Sequence, residues 1–184
     1  MNNSDTQETP SHRRKRYPIR DEIEQIIKDK HIDRSRFGEF SKAAYKNVFG
    51  RFFYTFAKHG SEQKYDSEYF RINSSDDSEF FWNHLRENLG REHIASFGSD
   101  WFAYCNEIKE ALPVSANKKA YLILREGWVY EGYPEEIMKT LAETSILLTD
   151  FYIVSKKYDW FIGHSDDGEC AYIYYRKGFD KNGK

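Results

Sequence analysis

Ala120-Tyr121-Leu122-Ile123-Leu124, Asp150-Phe151-Tyr152-Ile153-Val154-Ser155, Asp159-Trp160-Phe161-Ile162 and Ala171-Tyr172-Ile173-Tyr174-Tyr175 decide the fold of this chain. Each is a strand-length run of β-branched and aromatic residues bounded by turn formers. Lys156-Lys157-Tyr158 predicts one hairpin turn, and Ser165-Asp166-Asp167-Gly168 predicts a second, because Asp-Gly suits the left-handed backbone of a tight turn. Before them, a strand over 119–125 leads through Glu126-Gly127 into Trp128-Val129-Tyr130. Pro134 then opens a helix whose inner face is Ile137, Met138 and Leu141. The expected result is a largely antiparallel sheet of four to five strands with one intervening helix.

Working outward toward the N-terminus, the apolar spacing becomes helical. Ile19, Ile23, Ile26 and Ile27 predict an amphipathic helix from Ile19 to about Ile32, with Asp21, Glu22 and Glu24 near its positive N-terminal end. A second helix is expected after Asp33 as cap, with Phe37, Phe40, Ala44, Tyr45 and Val48 as its stripe and Gly50 as its stop. Arg51–Phe56 fits either a strand or a continuation of that helix. Residues 59–75 read as loop. Asp76 or Asp77 then caps a helix that buries Phe80, Phe81, Leu85 and Leu89 and stops at Gly90. Asp100 caps another, with Trp101, Tyr104, Cys105, Ile108 and Leu112 on one side and Pro113 as terminator. Helices followed by a sheet give the α+β class. The domain reading is a disordered basic tail over 1–18 and one α+β domain over 19–184, with a helical part at 19–113 and a sheet part at 114–178.

Composition narrows the function. Of the 184 residues, 17% are aromatic, enough for a core despite a 39% hydrophobic content, and with rings to spare as interface anchors. Residues 1–20 carry a local +3, so the rest of the chain carries −5 against an overall −2. A mildly acidic body lacks the basic face of a nucleic-acid-binding domain and suits a basic protein partner. Nucleic acid is expected only through His12-Arg13-Arg14-Lys15-Arg16, which also reads as a solvated charge run. Two distant cysteines, no signal-peptide pattern and no apolar run of membrane-spanning length imply a soluble, cytoplasmic protein.

Reactive motifs are missing. There is no phosphate-binding glycine loop, nucleophile elbow or dinucleotide fingerprint, and no Cys-x-x-Cys. The six histidines include no pair at the i, i+4 spacing of a helical zinc site. His164-Ser165-Asp166-Asp167-Gly168-Glu169 is rich in polar groups, but a tight turn accounts for Asp and Gly there more simply than a calcium loop does. Cys105, on an apolar helix face, reads as an inert small hydrophobe. No catalytic residue, metal site or cofactor is expected. The enzyme alternatives are His164 with Asp166 or Asp167, and His84 with Glu87; His93 and Asp100 could join such a site only through the fold.

Two patches suit a cationic protein partner: Trp128, Tyr130, Glu131, Tyr133, Glu135 and Glu136 as aromatic anchors rimmed by carboxylates, and Asp166 with Asp167 at the turn. The carboxylates would equally favour the start of the helix at Pro134, with the rings packed beneath it.

The segments Trp128-Val129-Tyr130-Glu131-Gly132-Tyr133, Glu136-Ile137 and Asp150–Ile162 resemble the C-terminal part of an uncharacterised family of small bacterial α+β proteins. That family is similar in type to the immunity partners of bacterial toxins. The resemblance implies strand packing and carries no catalytic residue across. The expected function is therefore a non-catalytic immunity protein that neutralises a nuclease or other basic effector by direct binding. The alternatives are an enzyme of unfamiliar type with a His/Asp site, and a nucleic-acid-associated regulator acting through the basic tail.

Overall fold

A computed structural model describes residues 18–60, 82, 84–112, 118–124, 127–144, 150–165 and 167–175. Strands β1 (Phe37–Glu39), β2 (Leu89–Ser96), β3 (Ala120–Leu124), β4 (Val129–Gly132), β5 (Phe151–Ser155), β6 (Trp160–His164) and β7 (Glu169–Tyr175) form one seven-stranded sheet, in the order β1-β4-β3-β5-β6-β7-β2. Every pairing is antiparallel. Among the described residues the α-helices are α1 (Pro18–Asp29), α2 (Tyr45–Phe56), α3 (Trp101–Glu110) and α4 (Pro134–Ala142).

Strands β3 and β5 are buried along their whole length, which explains why their sequences are continuously apolar rather than alternating. Period-2 geometry sends neighbouring residues to opposite faces. Tyr152 and Phe161 meet α2, where the Phe52 ring lies 5.2 and 5.1 Å from theirs. On the other face His164 meets Tyr104 and Trp101 of α3, and the Trp101 indole donates to the Leu141 carbonyl of α4 at 2.8 Å. Helix α1 joins α3 and α4 on that face, where the Tyr130 hydroxyl donates to Glu24 at 3.0 Å. Of the described helices, α2 thus packs on one side of the sheet and α1, α3 and α4 on the other.

The α+β class holds, but the sheet has seven strands, not four to five, and α2, α3 and α4 all fall between strands. Strand β1 replaces the start of the helix expected after Asp33. The Asp33 carboxylate accepts from the Ser35 backbone and hydroxyl, both at 2.8 Å, and so turns the chain into an edge strand instead of capping a helix. The helical stripe belongs to α2, where Phe49, Phe52, Phe53 and Phe56 are buried at i, i+3, i+4 and i+7. This places Arg51–Phe56 in a helix, and exposed Gly50 lies inside that helix rather than ending it.

Leu89 and Gly90 begin strand β2 rather than ending a helix. Gly90 is needed there because the Tyr174 ring lies where a Cβ would project, 2.6 Å from its nearest atom. Asp76, Asp77, Phe80 and Phe81 of that expected helix lie outside the described residues, as do the tail over 1–17, most of the 59–75 loop and Pro113. Other local signals match. Asp100 accepts from the Ala103 backbone at the start of α3, Pro134 opens α4, and Gly168 turns the β6–β7 hairpin at φ 88°. No helix among the described residues is long and apolar enough to cross a membrane.

Candidate functional site

The sequence-predicted patch is dispersed by the fold. In β4, Tyr130 faces α1 and Glu131 points to the opposite face. Trp128 precedes the strand and Tyr133, Glu135 and Glu136 follow it, at opposite ends of the sheet. Trp128 is 7% exposed and sits between two cations, with the Arg20 guanidinium 4.5 Å and the Lys42 ammonium 4.7 Å from its ring centroid. Arg20 also pairs with Glu39 at 2.7 Å, and Glu39 accepts from the Tyr45 hydroxyl at 2.8 Å. Tyr130 is fully buried, and burial, then the Glu24 charge, raises its phenol far above the ordinary range.

The carboxylates of this patch have internal partners. Glu131 pairs with Lys156 at 3.0 Å and Lys119 at 3.6 Å, Glu135 with Lys139 at 3.1 Å, and Glu136 with Arg36 at 3.0 Å. Arg36 also covers the Tyr133 ring, 4.9 Å from its centroid. At the hairpin, exposed Asp167 accepts from the Ser165 hydroxyl, which holds its carboxyl below the usual range; Asp166 lies outside the described residues.

The polar residues considered for catalysis do not converge on one cavity. His164 is 3% exposed, its Nδ1 2.6 Å from the Tyr104 hydroxyl and its ring stacked on Phe151. Cys105 and Cys170 are free and buried, and desolvation pushes both thiols up to about 12, far from the thiolate a nucleophile needs. His84 lies beside the Ala57–Leu85 bridge, its carbonyl accepting from the Lys58 backbone at 2.6 Å.

The arrangement nearest to a triad is Ser96, His93 and Glu169, brought together across β2 and β7 by a bulge between His93 and Ala95. The Ser96 hydroxyl donates to Glu169 at 2.7 Å and stands 3.4 Å from His93 Nε2, so its proton is directed to the carboxylate, not to the imidazole a serine nucleophile requires. Among the described residues, no group of three or more His, Cys, Asp or Glu is placed to hold a metal ion.

A different surface combines aromatic rings with carboxylates that lack cations. On the α3 side of the sheet, half-buried Trp160, Tyr172 and Tyr174 form a ladder across β6 and β7, with centroids 6.1 Å apart for Trp160–Tyr172 and 5.1 Å for Tyr172–Tyr174. Beside it a cavity of about 410 Å³ is lined by Tyr172, by Glu92, His93 and Ile94 of β2, by Glu107 and Glu110 of α3, and by Ala111. Glu92 accepts from the Tyr174 hydroxyl at 2.6 Å. None of these three carboxylates has a Lys or Arg within ion-pair distance among the described residues. Burial first, then the charges of Asp159 and Glu92, raise the Tyr172 phenol above its ordinary range. These carboxylates belong to no metal-holding group among the described residues; a lysine or arginine side chain suits such a surface, its charge toward the carboxylates and its stem on the rings.

Sequence reasoning missed this surface because it exists only once β2 pairs with β7 and sets Glu92 opposite Tyr172. The available signals were Tyr172 and Tyr174 two residues apart on a strand and Glu107 and Glu110 three apart on a helix.

Residues 15–181 match the family of unknown function DUF6756. The chain belongs to that family. The match spans the helical part as well as the sheet, and the residues of the surface described above lie inside it. No curated protein and no solved structure matches the chain.

Proposed function

We propose that this DUF6756 protein is a non-catalytic binding protein that neutralises a basic effector, a toxin such as a nuclease being the leading case. The partner rests on the Trp160–Tyr172–Tyr174 ladder and its cations enter the Glu92–Glu107–Glu110 cavity. The observation that carries this reading is the conjunction of partly exposed rings with carboxylates that have no Lys or Arg within ion-pair distance among the described residues. Aromatic anchors supply the desolvated centre of a protein interface, and unpaired charge steers a complementary partner to it. The burial of His164, Cys105 and Cys170 fits a role without chemistry.

The test is to purify the tagged protein from the cell that carries its gene, in moderate salt, beside a Glu107→Lys/Glu110→Lys variant. A basic protein held in stoichiometric amount by the wild type and lost from the variant is the expected result. A protein recovered alone contradicts a binding role, and a partner held equally by both contradicts the assigned surface.

A further inference from the structure

Helix α3 separates two concavities. Glu107 and Glu110 line the acidic one, whereas Phe102, Cys105, Asn106 and Lys109, at i, i+3, i+4 and i+7, line a groove of about 360 Å³ shared with α1 and α4. Ile26, Met138 and Ala142 complete its apolar wall. Phe102 is 60% exposed, one of two large hydrophobic side chains left so open among the described residues. The groove's carboxylates are neutralised, Glu143 by Lys30 at 2.9 Å and Glu136 by Arg36 at 3.0 Å. Lys139 is engaged by Glu135 at 3.1 Å. Lys109 has no carboxylate within ion-pair distance among the described residues, and the Asn106 amide lies one turn away.

An apolar trough with one ammonium outside any ion pair among the described residues complements an apolar body with one anionic head. Its size selects a small molecule over a partner helix. Small-molecule pockets run from about 300 to 1,000 Å³, while one α-helical turn about 10 Å across displaces roughly 400 Å³ by itself. We propose that the α1–α3–α4 groove binds a small amphipathic carboxylate, its apolar body along Phe102, Ile26, Met138 and Ala142 and its carboxylate on Lys109. This site is independent of the acidic face. Cys105 forms its floor at 1% exposure, so the ligand is held without a covalent bond.

Decanoate, below its micelle concentration, is the probe. Titration followed by NMR is expected to give saturable shifts at Ile26, Phe102 and Met138. Lys109→Gln and Phe102→Ala should each weaken binding about tenfold, the scale of one charge-assisted contact or one lost anchor. Lys157→Gln, on the β5–β6 turn, should leave it unchanged, and decanol should bind about tenfold more weakly than decanoate. The proposal is overturned if decanoate gives no saturable shifts in the groove, if decanol binds as tightly, or if Lys109→Gln has no effect in a variant with a wild-type spectrum.

Discussion

Around Trp128, aromatic rings and carboxylates sit among cations from α1 and its neighbours: Arg20 and Lys42 on the indole, Arg20 on Glu39, and Arg34 on Glu24 at 2.9 Å. Around Tyr172 similar residue types meet without a paired Lys or Arg among the described residues, and Glu92 accepts from the Tyr174 phenol. Composition does not distinguish the clusters; pairing does. A carboxylate whose counter-charge lies in the same chain is part of the scaffold. One left open beside half-exposed rings keeps its attraction for another molecule, since removing a charge from water is offset only when a partner arrives.

The largest effect expected from this contrast is on stability at the closed cluster. Trp128→Ala should cost about 3–5 kcal/mol in urea unfolding, as for other buried tryptophans. Partner affinity of the fraction that folds should not change. At the open cluster the pattern reverses. Trp160→Ala should weaken the partner complex by about 2 kcal/mol or more, as hot-spot aromatics do, while costing less stability than Trp128→Ala. Equal stability losses at the two tryptophans would erase the distinction.

Charge reversal sharpens it further. Glu107→Lys/Glu110→Lys should slow association by roughly tenfold or more at low salt, an effect that shrinks as salt is added. Stability should shift by no more than about 0.5 kcal/mol, because both side chains are exposed and make no ion pair among the described residues.

A smaller effect tests the closed cluster through pH. Burial alone would raise the Glu24 carboxyl, but hydrogen bonds from Arg34 and Tyr130 outweigh it and hold the group below its ordinary value of 4.5. A folded value below the unfolded one stabilises fully above pH 4.5 and loses that contribution as the pH falls through the folded value. Urea midpoints measured from pH 7 to pH 3 should therefore drop at the acid end, and Tyr130→Phe should make the drop shallower. The smallest signal is chemical: Cys105 and Cys170 should react with a thiol reagent only slowly in the native protein and fully on unfolding.

Much of the sheet was legible because β3, β5, β6 and β7 are apolar runs of strand length, and because Asp100, Pro134 and Gly168 act locally. Strand β1 was hidden because three residues have no period, and Phe37, Phe40 and Ala44 also match a helical stripe. Strand β2 was hidden because an edge strand buries little: within it only Leu89, Gly90 and Ala95 are buried, and the bulge after His93 breaks its alternation. The candidate surface was illegible for the same reason. Residues such as Glu92 and Tyr172 lie 80 positions apart and become neighbours only through a long-range pairing. Where carboxylates lie close in sequence, as at Glu135 and Glu136, their internal partners Lys139 and Arg36 could not be inferred together, since Arg36 lies 100 positions from Glu136 and is brought beside it only by the pairing of β1 with β4.

The central claim is that the open acidic–aromatic face, and not a surface whose carboxylates are paired within the chain, as Glu135 is with Lys139, meets the partner. Calorimetric titration of the purified partner into wild type, Glu107→Lys/Glu110→Lys, and Glu135→Lys tests it most directly, the last reversing a carboxylate that is already paired. The account predicts at least tenfold weaker binding for the double variant, steepest at low salt, and wild-type affinity for Glu135→Lys. Wild-type affinity in the double variant, with a loss in Glu135→Lys, would contradict it.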